Sequence, residues 1–340
     1  MLRQLKIIVT MLIAVLTPAQ LHAQNVKITP LGSHDGEFCF NDRAMLFEDA
    51  TGVRILYDAG QTVAGATDPR LGDVHVILLS HAHNDHIGGA KAAGVNAGTC
   101  NKPQTVSAAP NSNTAEIAVA KNSAIMTSRL MTTFLNKKIQ NIRGATTPQC
   151  PAVGAPRVTT VPTSSACLAG RAPGVTWIFK FAVANNGVAI TPVRADHDNS
   201  VGRNLITNPQ ANLDSEGLTA YVGDAIGYIL SFTNGLKVYL SGDTALMSDM
   251  KTIINGFYKV KLVVLNIGSR EESSFAINEL IQPNAVIPSH ANEAATTGGQ
   301  VKAGTRTRQF IDLVKGRPVH VPLSGKTMQF DGHANCTAGC

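Results

Sequence analysis

The stretch that decides how this chain is read is Leu78–Gly89, "LLSHAHNDHIGG". Three histidines and an aspartate (His81, His83, Asp85, His86) fall within six positions, straight after the apolar run "VHVILLS" at 74–80. Neutral imidazole and carboxylate are the ligand types that zinc and similar divalent ions favour. Leaving the end of a strand, His81 and His83 project to one side, because extended side chains alternate with period two. Asp85 and His86 reach the next turn, beside the segment "IGGAKAAG", which can start a helix. The helical HExxH spacing for a single metal is absent, so the cluster offers ligands to two adjacent cations.

Working outward, further ligand types also follow apolar runs. His197 follows "AITPVRAD", Asp243 follows "KVYLSG" and His290 follows "AVIPS". Together with "VRILYDAG" (53–60), "GYILSF" (227–232) and "KLVVLNIG" (261–268), these β-branched runs bounded by Gly, Asp or Asn read as buried strands. Ligands at several strand ends converge when those ends share one edge of an α/β fold, which is where such sheets bind ligands. Between the strands, helices are expected over 113–142, with Asn113 as N-cap and Glu116 three residues on, and over 272–282 and 305–315. Residues 144–176 are rich in Pro, Thr, Ser, Ala and Gly without periodicity and read as a long loop pinned by cysteine.

The first 23 residues have a basic start (Arg3, Lys6), an apolar run Ile7–Leu16 and a polar end at Leu21-His22-Ala23. That is the layout of a secretory signal peptide cleaved after Ala23, and its apolar core is too short to span a bilayer. No later segment approaches the length of a span, so the mature chain, 24–340, is expected to be one exported domain, periplasmic or secreted. A hydrophobic content of 44% supports a full core. The six cysteines, an even number in an exported chain, imply disulfides, and Cys336 and Cys340 can close a small loop. No CxxC pair is present, which disfavours a zinc ribbon or a thioredoxin-type site.

Charge is unevenly placed. The chain carries +6, and the segment 96–173 holds eight basic residues against one acid, Glu116. This segment reads first as a solvated helix-plus-loop face and second as an attractor of anions. Aromatic content of 5% and the lack of an aromatic-interleaved basic groove weigh against nucleic acid as a partner.

The order HxHxDH, a distant His, "SGDT" and a late His before a small residue resembles the metallo-β-lactamase fold superfamily, over roughly Val53–His290. The strings "AIGYILSFTNGLKVYLSGDTALMSDMKTI", "VVLNIG" and "AVIPSHA" are most similar to its L-ascorbate-6-phosphate-lactonase-like branch. The resemblance implies an α/β, four-layer αββα sandwich with a binuclear metal site at one edge. It assigns His81, His83 and His197 to one cation, Asp85, His86 and His290 to the other, and Asp243 to a bridge. Ser80 stands where the family often has Thr, and the insertion at 144–176 has no counterpart.

These assignments imply a metallo-hydrolase of the binuclear zinc type acting on a small-molecule substrate. Two divalent cations, zinc first among them, lower the pKa of a shared water to about 7. That water would attack a small ester, lactone or lactam carbonyl, with Asp85 orienting it and then protonating the leaving group. The alternatives are a phosphodiesterase or nuclease on the same fold, and a non-catalytic metal-binding protein. Asn266 and Arg270, following "KLVVLN", are candidate substrate contacts, Arg270 as partner of an anionic group. His34 is a candidate for the border of the site, whereas His75, alternating with Val74 and Val76, reads as a packing residue.

Overall fold

Alternation along the strands builds the layers. In Met45–Glu48, Met45 and Phe47 face one way and Leu46 the other, and Arg54–Tyr57 repeats this with Ile55 and Tyr57 against Leu56. The first set meets Tyr228, Leu230, Val238 and Leu240 from a second sheet, while the opposite set packs under helices. The second sheet behaves likewise, with Ile229, Tyr239, Val263 and Val286 turned toward helices on its own outer face. The result is a four-layer αββα sandwich with an apolar layer at each of its three interfaces. The computed structural model describes residues 24–206, Leu213 and 217–340, so the expected signal segment 1–23 lies outside the described residues.

The sheet strands, in chain order, are β1 (Val26–Pro30), β2 (Met45–Glu48), β3 (Arg54–Tyr57), β4 (Val76–Leu78), β5 (Ala124–Ser128), β6 (Arg157–Val161), β7 (Cys167–Arg171), β8 (Trp177–Phe181), β9 (Val188–Arg194), β10 (Ile226–Ser231), β11 (Lys237–Leu240), β12 (Leu262–Asn266), β13 (Ala285–Ser289), β14 (Met328–Phe330) and β15 (Cys336–Ala338). One sheet runs β7-β5-β4-β3-β2-β1-β14-β15 and the other β6-β8-β9-β10-β11-β12-β13. Pairing is parallel in β3-β4-β5-β7 and in β11-β12-β13, so these strands in each sheet end at a common edge. No helix among the described residues is long and apolar enough to cross a membrane.

The expected helix over 113–142 is interrupted. Helix α1 (Asn113–Lys121) stops at Asn122, which turns left-handed at φ 53°, and the chain returns as β5 before α2 (Met131–Arg143). All of β5 is buried: Ala124 and Met126 enter the inter-sheet core and Ile125 meets the helices. Pairing on both sides outweighs a local pattern that also fits a helix. The N-cap is Ser112, whose hydroxyl accepts from the Ala115 amide, while the buried Asn113 side chain donates to the carbonyls of Gly60 and Val63.

The segment 144–176 is likewise not a loop throughout. It supplies β6 and β7, each a parallel edge strand of a different sheet. Neither strand carries the long β-branched apolar run that marks central strands, although β7 is largely buried, so composition hid them. The disulfide Cys150–Cys167 pins this segment, Cys39–Cys100 ties an early loop, and Cys336–Cys340 closes the short loop at the C-terminus. The basic stretch 96–173 thus contains two helices and three strands of the two large sheets, besides three short strands of small two-stranded sheets. The other helical expectations correspond to α3 (Arg270–Phe275), running on into the wider turns of Ala276–Ile281, and to α4 (Arg306–Leu313), capped by Thr305.

Candidate metal centre

Four strand ends build the site. His81 and His83 leave β4, and Asp85 and His86 lie on the short helical turn Asn84–Gly88. His197 follows β9, Asp243 follows β11 and His290 follows β13. Gly88 allows the turn to seat: its φ is 80°, and a Cβ there would lie 2.5 Å from Asn113 Cβ at the start of α1. Gly242 does the same before Asp243, with φ 58° and Ser80 Cβ 3.2 Å from where its own Cβ would be.

All seven candidates converge. One ligand atom each from His81, His83 and His197 lie within 4.8 Å of one another, and so do those of Asp85, His86 and His290. Asp243 stands between the groups, its Oδ2 lying 3.8 Å from His81 Nε2, 3.1 Å from His86 Nε2, 3.9 Å from His197 Nε2 and 2.7 Å from His290 Nε2. Asp85 Oδ2 faces the Nε2 atoms of His86 at 3.6 Å and His290 at 3.5 Å. His83 Nδ1 and His197 Nε2 face each other at 3.3 Å.

The supporting groups include several that sequence reasoning missed. Buried Asp58, at the end of β3, takes the Ser80 amide on Oδ1 and holds both the Ser80 hydroxyl and His86 Nδ1 on Oδ2, at 2.7 and 2.8 Å. The Ser80 hydroxyl lies 2.9 Å from His81 Nδ1, so one carboxylate orients two imidazoles. Arg43, just before β2, is almost fully buried and donates from Nε and Nη2 to Asp85 Oδ2 and from Nη2 to Asn292. On the outer side His83 Nε2 lies 3.2 Å from Asp198. A strand-end signal could have found Asp58, which closes "VRILYD"; Arg43 and Asn292 carry none.

Electrostatics show that the residues fit cations. Burial, then the neighbouring His86, push the His81 imidazole well below its usual range, and burial also lowers His197, so both favour the neutral, coordinating form. Burial opposes charge on His86 too, but Asp243, Asp85 and Asp58 outweigh it and raise the imidazole to about 10. Although burial works against the carboxylates, His86 together with His290 holds Asp243 well below the usual carboxylate range. His86, His290 and Arg43 do the same for Asp85. The acids therefore create a strong demand for positive charge at the point where the imidazoles converge. His81 Nε2 and His86 Nε2 are buried there without a well-formed hydrogen bond, an orphaned state that suits metal ligands.

A cavity of about 240 Å³ opens beside Asp243 and His197, walled by Leu246, Met250 and Leu265 with Asn266 and Glu272 among its polar lining. A second, of about 430 Å³, lies on the other side of His197 beneath Arg194, Asp196, Tyr221 and Asp224. Asn266 thus reaches the site, whereas Arg270 lines neither cavity and pairs with Glu271 at 2.9 Å. His34 stands apart from the cluster, against Ser33 at 3.0 Å, and His75 packs edge-on against Phe181.

Comparison with known proteins agrees with this geometry. The profile of the metallo-beta-lactamase superfamily matches residues 43–93, the segment that carries Arg43, Asp58 and the histidine cluster. A UPF0173 metal-dependent hydrolase of Polynucleobacter asymbioticus is 33% identical over 152 residues, 42% of this chain and 48% of that protein. The match thus spans about half the length of that relative. A UPF0173 metal-dependent hydrolase of Staphylococcus carnosus is 24% identical over 301 residues, 86% of this chain and 98% of that one. Among solved structures, Igni18, a metallo hydrolase of Ignicoccus hospitalis, superposes with TM-score 0.53 at 19% identity, covering 90% of this chain and 99% of that one, a likeness of fold. Four layers, a ligand set at one sheet edge and the profile match over 43–93 point the same way: the chain is similar to the metal-dependent hydrolases of the metallo-beta-lactamase superfamily and shares their fold.

Proposed function

We propose that this protein is a metal-dependent hydrolase with a two-cation centre, zinc by preference, acting on the carbonyl of a small ester, lactone or lactam. One observation carries the reading: two groups of three ligand atoms flank a shared carboxylate, Asp243, whose Oδ2 lies 2.7–3.9 Å from four imidazole nitrogens. His81, His83 and His197 would hold one cation, Asp85, His86 and His290 the other, and Asp243 both. Bound there, two cations supply Lewis acidity and make a water acidic enough to attack near neutral pH.

The chain's own residues would do the rest. Asp58 and Ser80 hold His81 and His86 in their coordinating tautomers. Arg43 occupies Asp85 Oδ2 and keeps the carboxylate ionised between turnovers, leaving Oδ1 to accept the proton of the attacking water. Protonated in such surroundings, Asp85 is a strong acid and passes its proton to the leaving group. The cavity walled by Leu246, Met250 and Leu265 excludes water from one side of the reacting carbonyl. The amino-terminal layout adds export to this reading, with the periplasm or the cell exterior as the address.

The test combines metal analysis of the purified protein with a panel of p-nitrophenyl esters, lactones, β-lactams and bis-p-nitrophenyl phosphate. Two equivalents of metal and hydrolysis of a carbonyl substrate, lost in His83→Ala, are expected. Cleavage of the phosphodiester alone would transfer the centre to the phosphodiesterase reading, since two-metal sites serve that displacement equally well.

A further inference from the structure

The reaction proposed above leaves open what flanks the scissile carbonyl, and the cavity beside His197 bears on it. Its walls are apolar at Leu246, Met250 and Leu265. Apart from Asp243, the charged residue among its lining is Glu272, and none of the lining residues is a lysine or arginine. Glu271 and Glu272 share the first turn of α3, where acids suit the helix dipole. They are used differently. Glu271 pairs with Arg270, while Glu272, also exposed, lines the mouth of the cavity and has no ion-pair partner among the described residues. Arg43 is spoken for by Asp85 and Asn292. A phosphate or carboxylate entering this cavity would meet the Glu272 carboxylate and no lysine or arginine among its described lining residues.

Resting on the hydrolase reading, we propose that this cavity selects substrates carrying a protonated amine on a short apolar arm, with Glu272 as the specificity-determining residue. The apolar walls take the methylene groups and the Glu272 carboxylate takes the ammonium. The same carboxylate discourages phosphate- and carboxylate-bearing esters, which corrects the expectation that Arg270 receives an anion. Charge complementarity in a concave site chiefly sets selectivity, and one solvent-reached pair is worth a factor of about five.

Two measurements test this on the metal-loaded full chain. In the first, kcat/KM is compared for p-nitrophenyl esters of one acyl length ending in ammonium, methyl or carboxylate. The wild type should favour them in that order, by about fivefold per step. Glu272→Gln should erase the preference for ammonium over methyl, and Glu272→Lys should invert the series. A carboxylate-ended ester turned over as well as the ammonium one, or a series unmoved by Glu272→Gln, overturns the proposal. The second measurement needs no catalysis: butylammonium and butanol are titrated by NMR into wild type and Glu272→Gln. Butylammonium should bind more tightly, and only while Glu272 is present. Equal binding of the two overturns the proposal even where esters are cleaved. Tighter butylammonium binding without cleavage of any ester, lactone, β-lactam or phosphodiester of the panel supports the pocket and removes the hydrolase reading instead.

Discussion

The two halves of the centre differ in depth. In the half formed with Asp85 (25% exposed), the imidazoles of His86 and His290 are 3% and 15% exposed; in the other half His81 is fully buried but His83 and His197 are each 29% exposed. Their supports differ in the same sense. His86 rests directly on a buried carboxylate, Asp58, which reaches His81 only through Ser80, and Asp85 rests on a buried guanidinium, Arg43, whereas His83 leans on Asp198, itself 56% exposed. Hydrogen bonds in a low-dielectric interior hold their partners firmly, while an exposed pair is screened and adaptable. The deep half is a rigid anchor. The shallow half, at His197, is where both cavities meet and where a substrate would enter.

Breaking the deep half should cost most. His86 belongs to two of the three-ligand groupings. His86→Ala should remove at least one metal equivalent and lower hydrolysis about a thousandfold; metal analysis and kcat on one sample check both. Retention of two equivalents would falsify the assignment of His86 as a ligand. Arg43→Met leaves Asp85 without its buried partner and should destabilise the protein by roughly 3 kcal/mol, read as a drop in the midpoint of denaturant unfolding.

Next come the orienting carboxylates, where the contrast between the halves is sharpest. Asp58→Asn should weaken metal affinity by about 10- to 100-fold in a competition titration with a chelator. Asp198→Asn, removing an exposed pair, should change it by no more than about fivefold. Equal effects from the two would mean that depth does not govern the support.

The smallest effect concerns the loop that leads into Arg43. Burial raises the Asp42 carboxyl to about 7, against the opposing pull of the Cys39 and Ser33 amides. The folded protein then keeps a proton that the unfolded chain loses near pH 4, so this group's contribution to stability falls as pH rises from about 4 to 7. Thermal unfolding across that window should flatten in Asp42→Asn. An unchanged pH slope would show that Asp42 titrates alike in both states.

Much of the site was legible because its residues obey a local rule. A ligand type after an apolar, β-branched run marks a strand end, and His81, His83, Asp85, His86, His197, Asp243 and His290 were all found this way. The same rule reaches Asp58, which was passed over because a lone acid ending a strand is common. Arg43 and Asn292 were out of reach. Each matters only through a contact made over a long sequence distance, Arg43 to Asp85 across 42 residues and to Asn292 across 249. Asn266 lines the pocket and Arg270 pairs with Glu271 instead, because only the fold decides toward which side a helix start turns its side chains.

Fold elements divide in the same way. Central strands such as β11 and β12 are buried on both faces and announce themselves by continuous apolar runs. The edge strands β6 and β7 and the inserted strand β5 are set by pairing with neighbours distant in the chain. The amino-acid sequence by itself marked the central strands, through continuous apolar runs, and the ligand types, through their chemistry, and its family resemblance implied the αββα layering. Tertiary structure alone decided that four strand ends share one edge, that Arg43 backs Asp85 while Asp58 stands behind both His81 and His86, and that Glu272 lines the cavity. Ligand chemistry and burial period are local properties of a chain. Convergence, support and pocket charge are sums over residues that meet only once the sheets have packed.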